Sequence, residues 1–331
     1  MTMVQKKILI RLPNWLGDMV MSTAFVQAVH EVFPDSIVDV IAKKGIHILL
    51  DNFPAHRKRY LFSKQEYKGL RGAWVFGKEI AAQEKYDLFF SLPVSFSAAI
   101  MGYATGAKKR IGYKNGLRNL FLTHPYAADH HIYHVEEYIG LLKKFTGKDV
   151  NEPAVKLITP TNLIKRDAIV VNMNSEAQSR RWPTGKAISI IRVLRKGISQ
   201  EIILVGSDKE KLQMDSVFNA LPDKTNITNL AGKSPLPLLV TLMGSCRMVL
   251  SSESGPAQIA NAVGTPTLIT LGASDELLST PSKISNISVV KYGQLPCQPC
   301  RKNDCRKFPQ PECLLRIDEM LILEKVKTIL A

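Results

Sequence analysis

Short apolar runs rich in β-branched residues alternate along this chain with longer stretches of helical period. In the first half, Lys7–Leu12, Ile37–Ala42 and Asp87–Leu92 predict strands, with helices over Met19–Phe33 and Trp74–Lys85. Met19, Ala24, Val26 and Val29 fall close to one face of the first helix, and Pro34 ends it. In the second half, Ala168–Met173, Glu201–Gly206, Arg247–Ser251 and Thr267–Leu271 predict strands. The helices between them are Lys186–Arg195, Lys209–Leu221, Leu236–Gly244 and Gly255–Val263. Alternation of this kind implies α/β architecture, with parallel sheets covered by helices on both faces. The pattern restarts near residue 168 after a polar, Pro-containing stretch over 147–167, which predicts two doubly wound domains, 1–160 and 161–331. Two such domains side by side would turn the carboxyl ends of both sheets toward a shared cleft, where ligands of such folds bind. The last helix, about Asp318–Leu330, fits either domain.

A length of 331 residues gives each half enough chain for its own core. No apolar run approaches the roughly 18 residues needed to span a bilayer. At the start of the chain Ile8-Leu9-Ile10 is cut off by Arg11, far short of a signal-peptide core, so a soluble, cytoplasmic protein is expected. The net charge of +15 is spread over both halves. It is densest at Arg57, Lys58, Arg59, Lys64, Lys68 and Arg71, which only Glu66 opposes. Such a field favours anionic partners: nucleic acid, acidic lipid headgroups or phosphorylated substrates. The plainer alternative is a solvated basic surface.

Three constellations carry candidate chemistry. The first is Arg11-Leu12-Pro13-Asn14-Trp15-Leu16-Gly17-Asp18, where a strand ends in a Pro/Asn turn and Asp18 opens a helix. The helix N-terminus favours an ionised carboxylate there, and such a group can accept a proton from an attacking alcohol. Capping the helix is the competing role for Asp18. The second is Ser251-Ser252-Glu253-Ser254-Gly255-Pro256, where hydroxyls and helix-start amides would cradle a phosphate, or merely cap an ordinary helix. The third runs from Asn174 through Ser175, Arg180, Arg181 and Trp182 to Pro183, and its basic pair would neutralise a diphosphate or lie solvated in a loop. No Walker loop or Gly-x-Gly-x-x-Gly run is present, so P-loop hydrolysis and nicotinamide chemistry lose their usual signals.

Those three pieces, in this order and spacing, resemble glycosyltransferase family 9, the ADP-heptose:lipopolysaccharide heptosyltransferases, and within it the heptosyltransferase II type. The matching segments are Trp15-Leu16-Gly17-Asp18-Met19-Val20, Arg180-Arg181-Trp182-Pro183 and Glu253-Ser254-Gly255-Pro256-Ala257-Gln258-Ile259-Ala260, and the likeness runs over nearly the whole chain. The resemblance implies a GT-B fold with an N-terminal acceptor domain and a C-terminal domain for the nucleotide sugar. It also implies inversion at the anomeric carbon without a catalytic metal or other cofactor. Asp18 matches the general base, Arg180 a Lys that contacts the donor, and Ser254 and Gly255 the diphosphate contacts. Ser175 and Asp208 match nucleotide-side positions. Glu253 stands where the family usually has Asp, and Gln258 where it has His; both bear on the donor. The implied partners are an ADP-heptose-like donor and a phosphorylated, lipid-linked lipopolysaccharide core acceptor. Arg57, Arg59, Lys64, Lys108 and Arg110 are expected to attract the acceptor's phosphates and the inner-membrane surface, giving peripheral membrane contact. Nucleic acid is not expected, since no recognition signature accompanies the charge. An epimerase of the same fold and a non-catalytic glycan-binding protein are the alternative readings; the latter would carry an export signal.

Four of the five cysteines crowd one loop: Cys297, Cys300, Cys305 and Cys313, in a C-x2-C-x4-C-x7-C array. A tetrahedral structural zinc, reduced or disulfide-paired thiols, and an iron–sulfur cluster all fit this spacing. Cys246 reads as a buried small apolar residue. His124, His130, His131 and His134 cluster without an assigned role, and His30 reads as a helix-surface residue.

Overall fold

The computed structural model describes residues 5–129, 131–151, 154–279 and 286–331. His130 and Ser282, among others, lie outside them. The chain divides into two compact units, Met1–Lys156 and Leu157–Ala331.

Unit 1 contains, in chain order, β1 (Lys7–Arg11), α1 (Leu16–Val32), β2 (Ile37–Lys43), β3 (Arg59–Phe62), α2 (Gly69–Gln83), β4 (Leu88–Ser91), α3 (Phe96–Ala104), β5 (Lys109–Tyr113), β6 (His124–Tyr126) and α4 (His134–Thr146). Its described strands form one parallel sheet ordered β3-β2-β1-β4-β5-β6. Ile8, Leu9 and Ile10 of β1 are fully buried, because a central parallel strand is covered on both faces. Helices α2 and α3 pack closely through Gly77, where an added Cβ would stand 2.5 Å from the Met101 carbonyl oxygen. Gly147, at φ 66°, ends α4 in the left-handed region that glycine enters without strain.

Unit 2 repeats the plan with β7 (Ala168–Asn172), α5 (Thr184–Gly197), β8 (Glu201–Leu204), α6 (Lys211–Asn219), β9 (Ile227–Asn229), α7 (Leu236–Ser245), β10 (Met248–Ser252), α8 (Gly255–Ala262), β11 (Thr267–Leu271), α9 (Glu276–Ser279), β12 (Ile287–Lys291), α10 (Glu312–Leu315) and α11 (Glu319–Leu330). The sheet order is β12-β11-β10-β7-β8-β9, again parallel. Counted from each unit's own first strand, both sheets read 3-2-1-4-5-6, the doubly wound order whose direction reverses beside the first strand. Helix α11 packs on α5, with Leu323 against Gly197, and so belongs to unit 2.

The strands and helices expected from periodicity are present within a few residues of their predicted ends, except that Trp74–Lys85 is the second part of a helix that begins at Gly69. The pattern did not reveal β3, β5, β6, β9, β12, α3, α4, α9 or α10. Strand β3 is four residues long inside the basic stretch, and β6 and β9 are three each, too short for alternation to register. Helix α3 is buried almost all round, so it shows no stripe of helical period.

Candidate active site

In unit 1 the chain leaves β1 at the switch point beside β4. Arg11, the last residue of that strand, is buried, and its guanidinium turns back on the following loop. It donates to the Leu12 carbonyl at 2.5 Å, to the Ile41 carbonyl at 3.3 Å and to Asn14 Oδ1 at 2.5 Å, and it stacks on Phe62. Burial lowers its pKa to about 10. Helix α1 then begins with Trp15 as its extended N-cap, so Asp18 sits in the first turn and is not itself the cap. Asp18 is half-buried, and its charge helps raise the pKa of the buried Tyr138 phenol on α4, after burial itself. Sequence reasoning missed Tyr138, since only the packing of α1 on α4 makes it a neighbour.

Of the five basic residues expected at the acceptor, only Lys64 follows the carboxyl end of its strand. Arg57 precedes β3 and lies at the amino end of the sheet. There it donates to the fully buried Asp39 at 3.0 and 2.6 Å and to Glu84 at 2.9 Å. Lys7 grips the same Glu84 at 2.6 Å, and Tyr86 donates to Asp39 at 2.5 Å. The bonds from Lys7 and Arg57 hold the Glu84 carboxyl down at about 2, and the bond to Asp39 raises the Arg57 pKa. Arg59, at the start of β3, pairs with Asp51 and donates to His56. Lys108 pairs with Asp87 at 2.8 Å. Arg110 donates to the carbonyls of Phe121 and Ala107, both at 2.8 Å. Arg57, Arg59, Lys108 and Arg110 thus stand toward the amino end of the sheet, paired with acids or holding backbone carbonyls. Ligands of parallel sheets bind at the opposite edge.

In unit 2 the polar groups converge at the switch point between β7 and β10. Asn172 Nδ2 lies 2.9 Å from Ser254 Oγ, 3.0 Å from Ser251 Oγ and 3.0 Å from the Asn174 carbonyl. Ser252 Oγ donates to that same carbonyl at 2.7 Å. Ser254 is the extended N-cap of α8 and Pro256 occupies its first turn, so the helix start faces this network. Arg180 Nη1 contacts Glu253 Oε2 at 2.6 Å, and Ser274 Oγ donates to the same oxygen at 2.5 Å. The structure thus brings Arg180, Glu253, Ser254 and Gly255 together, with Ser175 buried nearby in the loop that Arg181 holds through the Ser175 carbonyl. Gln258 is buried one turn into α8. Asp208 is exposed in a single turn after β8. Trp182 is buried and donates to Thr270 Oγ1 at 2.7 Å, which fixes the turn in front of α5.

Asn174 opens the third constellation but was given no role of its own there. It is 2% exposed, and among the described residues neither polar atom of its amide has a partner. A buried amide is almost always satisfied. This one lies beside the carboxyl end of β8, with Nδ2 3.1 Å from where a side chain on Gly206 would begin. Its place after β7 put it at the head of the third constellation, and its long-range setting shows that its amide is unsatisfied.

All four loop cysteines are free and line one cavity of ≈ 200 Å³ together with Ser179, Lys302 and Phe308. Burial, and then the like charges of the other three, push the Cys313 thiol up to about 11. Among the described residues, no three His, Cys, Asp or Glu side chains already form a metal-holding group. The loop supports the turn that carries Arg180, because Ser179 bonds the carbonyls of Lys302 and Asn303 and Gln178 Oε1 accepts from the Cys305 amide. Cys246 is buried, with its thiol pushed up to about 12 by burial, and donates to the Met243 carbonyl. His30 bonds the Ala55 carbonyl at 2.7 Å.

The profile of glycosyltransferase family 9 (heptosyltransferase) matches residues 74–309. The chain belongs to this family. It is a glycosyltransferase, with the α/β GT-B fold in which each unit is one doubly wound sheet. The chain is 27% identical to lipooligosaccharide heptosyltransferase 2 of Haemophilus influenzae, over 98% of this chain and 99% of that one. The structure of E. coli ADP-heptose lps heptosyltransferase II superposes with a TM-score of 0.81 at 22% identity, covering 98% of each chain. E. coli heptosyltransferase WaaC with ADP-2-deoxy-2-fluoro heptose gives 0.74 at 15% identity, over 97% of this chain and 99% of that one.

Proposed function

We propose that this glycosyltransferase transfers a heptose from an ADP-heptose-like donor to a phosphorylated, lipid-linked lipopolysaccharide core acceptor, with inversion. The observation that carries the donor half is the switch-point network of unit 2: Arg180, Ser254, Gly255 and the unsatisfied Asn174 amide around the start of α8. In this reading Arg180, the helix start and its hydroxyls meet the charge that grows on the departing diphosphate. Ser175 and Asp208 attend the nucleotide, and Glu253 and Gln258 the sugar side. Asp18 accepts the proton of the attacking hydroxyl. That oxygen forms the new bond to the anomeric carbon as the carbon–oxygen bond to the diphosphate breaks, and ADP leaves with the bonding electrons. No cofactor takes part in the transfer. Lys64 is retained as an acceptor-side cation. The protein would work on the cytoplasmic side of the inner membrane as a peripheral protein, without nucleic acid; among the described residues no helix is long and apolar enough to cross a membrane.

The test is product analysis with ADP-heptose and a phosphorylated core acceptor, reading the anomeric configuration by NMR. A heptosylated acceptor of inverted configuration supports the proposal. Epimerised nucleotide from donor alone, or binding without turnover, overturns it.

A structural zinc on Cys297, Cys300, Cys305 and Cys313 belongs to the same proposal. Four thiols around one cavity are a zinc donor set once the side chains rotate inward. The ion would brace the turn that carries Arg180 through Ser179 and Gln178. Metal analysis of freshly purified, reduced protein decides it: one zinc per chain supports the site, and none removes it.

A further inference from the structure

Unit 1 exposes an aromatic and aliphatic surface that the site above does not use. Leu70, Trp74 and Val75 lie on the outer face of α2, Trp74 being 37% exposed. The Trp74 ring contacts Tyr103 of α3 at 5.8 Å, and Tyr103 contacts Phe121 at 5.5 Å. Phe121 closes the tight turn Gly116–Phe121, which presents Leu117 and Leu120 at 72% and 76% exposure. This turn is anchored. The buried Arg118 guanidinium donates to Ser91 Oγ at 2.9 Å, to the Pro93 carbonyl at 3.1 Å and to the Tyr113 carbonyl, tying the turn to the carboxyl ends of β4 and β5. The leucines therefore project from a fixed platform.

Two cations lie against the patch. Lys78 Nζ lies 5.2 Å over the Trp74 ring and the Arg110 guanidinium 5.2 Å over Tyr103. Lys64, Lys68, Arg71 and Lys114 are exposed nearby in sequence, and Glu79 is the one acid of α2. Lys and Arg set against exposed Trp and Tyr, with further exposed cations close in sequence, suit the headgroup level of an anionic bilayer, where apolar side chains enter and cations stay with phosphate. A second copy of this chain would bring the same cations face to face, which charge disfavours.

We infer that this face, centred on Trp74, Tyr103, Leu117 and Leu120, docks unit 1 on an anionic phospholipid bilayer. The inference deepens the peripheral membrane reading given above and rests on it, adding an apolar surface beside Arg110, one of the cations named there. Each cation near an anionic leaflet multiplies affinity about fivefold, so binding should weaken steeply with salt.

The test is co-sedimentation of the full chain with vesicles of about one-third phosphatidylglycerol in phosphatidylcholine, containing no sugar acceptor, against phosphatidylcholine alone. The expected result is binding to the anionic vesicles only, with a blue shift of tryptophan fluorescence. Leu117→Ser/Leu120→Ser and Trp74→Ser should each weaken binding by about tenfold or more. Stabilisation of the same preparations by ADP reports folding and donor binding independently, so failure of docking and failure of the transferase reading are separable. Wild-type vesicle binding by the folded variants overturns the surface. So does absence of binding at low salt, or self-association that depends on these residues.

Discussion

The two units share a strand order and finish it differently. Beside β1, a buried arginine is spent on holding the loop, through Leu12, Ile41 and Asn14, and one half-buried carboxylate, Asp18, stands in the first helical turn. Beside β7, hydroxyls and amides are linked in advance through Asn172, Ser251, Ser252 and Ser254, and the charge comes as an ion pair, Arg180 with Glu253. A repeated topology fixes where a ligand can sit, whereas the chemistry depends on which side chains end the strands. A carboxylate in the first turn of a helix suits proton transfer, and a prearranged donor network suits a polyanion.

The largest expected effect breaks or keeps that division. Asp18→Asn should lower turnover by about 10²–10⁴-fold while leaving ADP affinity unchanged by calorimetry. Equal loss of both would mean that unit 1's carboxylate is not a separate chemical element.

Arg180→Met comes next. Losing a charge-assisted contact worth about 1.5–3 kcal/mol should weaken ADP binding by roughly ten- to a hundredfold, read by titration. Unchanged ADP affinity would remove Arg180 from the donor site.

Asn174→Leu sharpens the same half by acting in two directions. Removing a buried, unsatisfied amide should stabilise the free protein by about 1–3 kcal/mol in denaturant unfolding, while ADP binding weakens. Stabilisation without any loss of binding would make Asn174 a packing defect only.

The smallest effect concerns the amino edge. The Glu84 carboxyl is depressed to about 2 by Lys7 and Arg57, so the stability it contributes is complete above its ordinary value near 4.5 and is lost as pH falls toward 2. Glu84→Gln should therefore unfold at lower temperature than wild type at pH 6, with the gap closing toward pH 2, and transfer per folded molecule should be unchanged. Lost transfer would return Arg57 and its partners to the active site.

Much of this was written locally. Fully buried parallel strands must be apolar runs, so β1, β7, β10 and β11 declare themselves. Glycine and proline beside hydroxyls after β10 announce a helix start, and Asp18 lies one turn into a helix whose onset the Pro/Asn loop marks. The local code was silent where length or uniform burial erased the period, as in β3 and α3.

What the sequence alone determined is therefore the α/β alternation, the restart of the pattern in mid-chain and the placing of Asp18, Arg180 and Ser254 after strand ends. Tertiary structure decided which end of a sheet each charge occupies. A run of lysines and arginines looks alike on either edge, yet Asp39 and Glu84, far away in sequence, claim Arg57 and turn it into a brace. The same holds for Asn174 and Tyr138, whose meaning comes from neighbours on other elements. Periodicity reads one element at a time, and a site is a property of several.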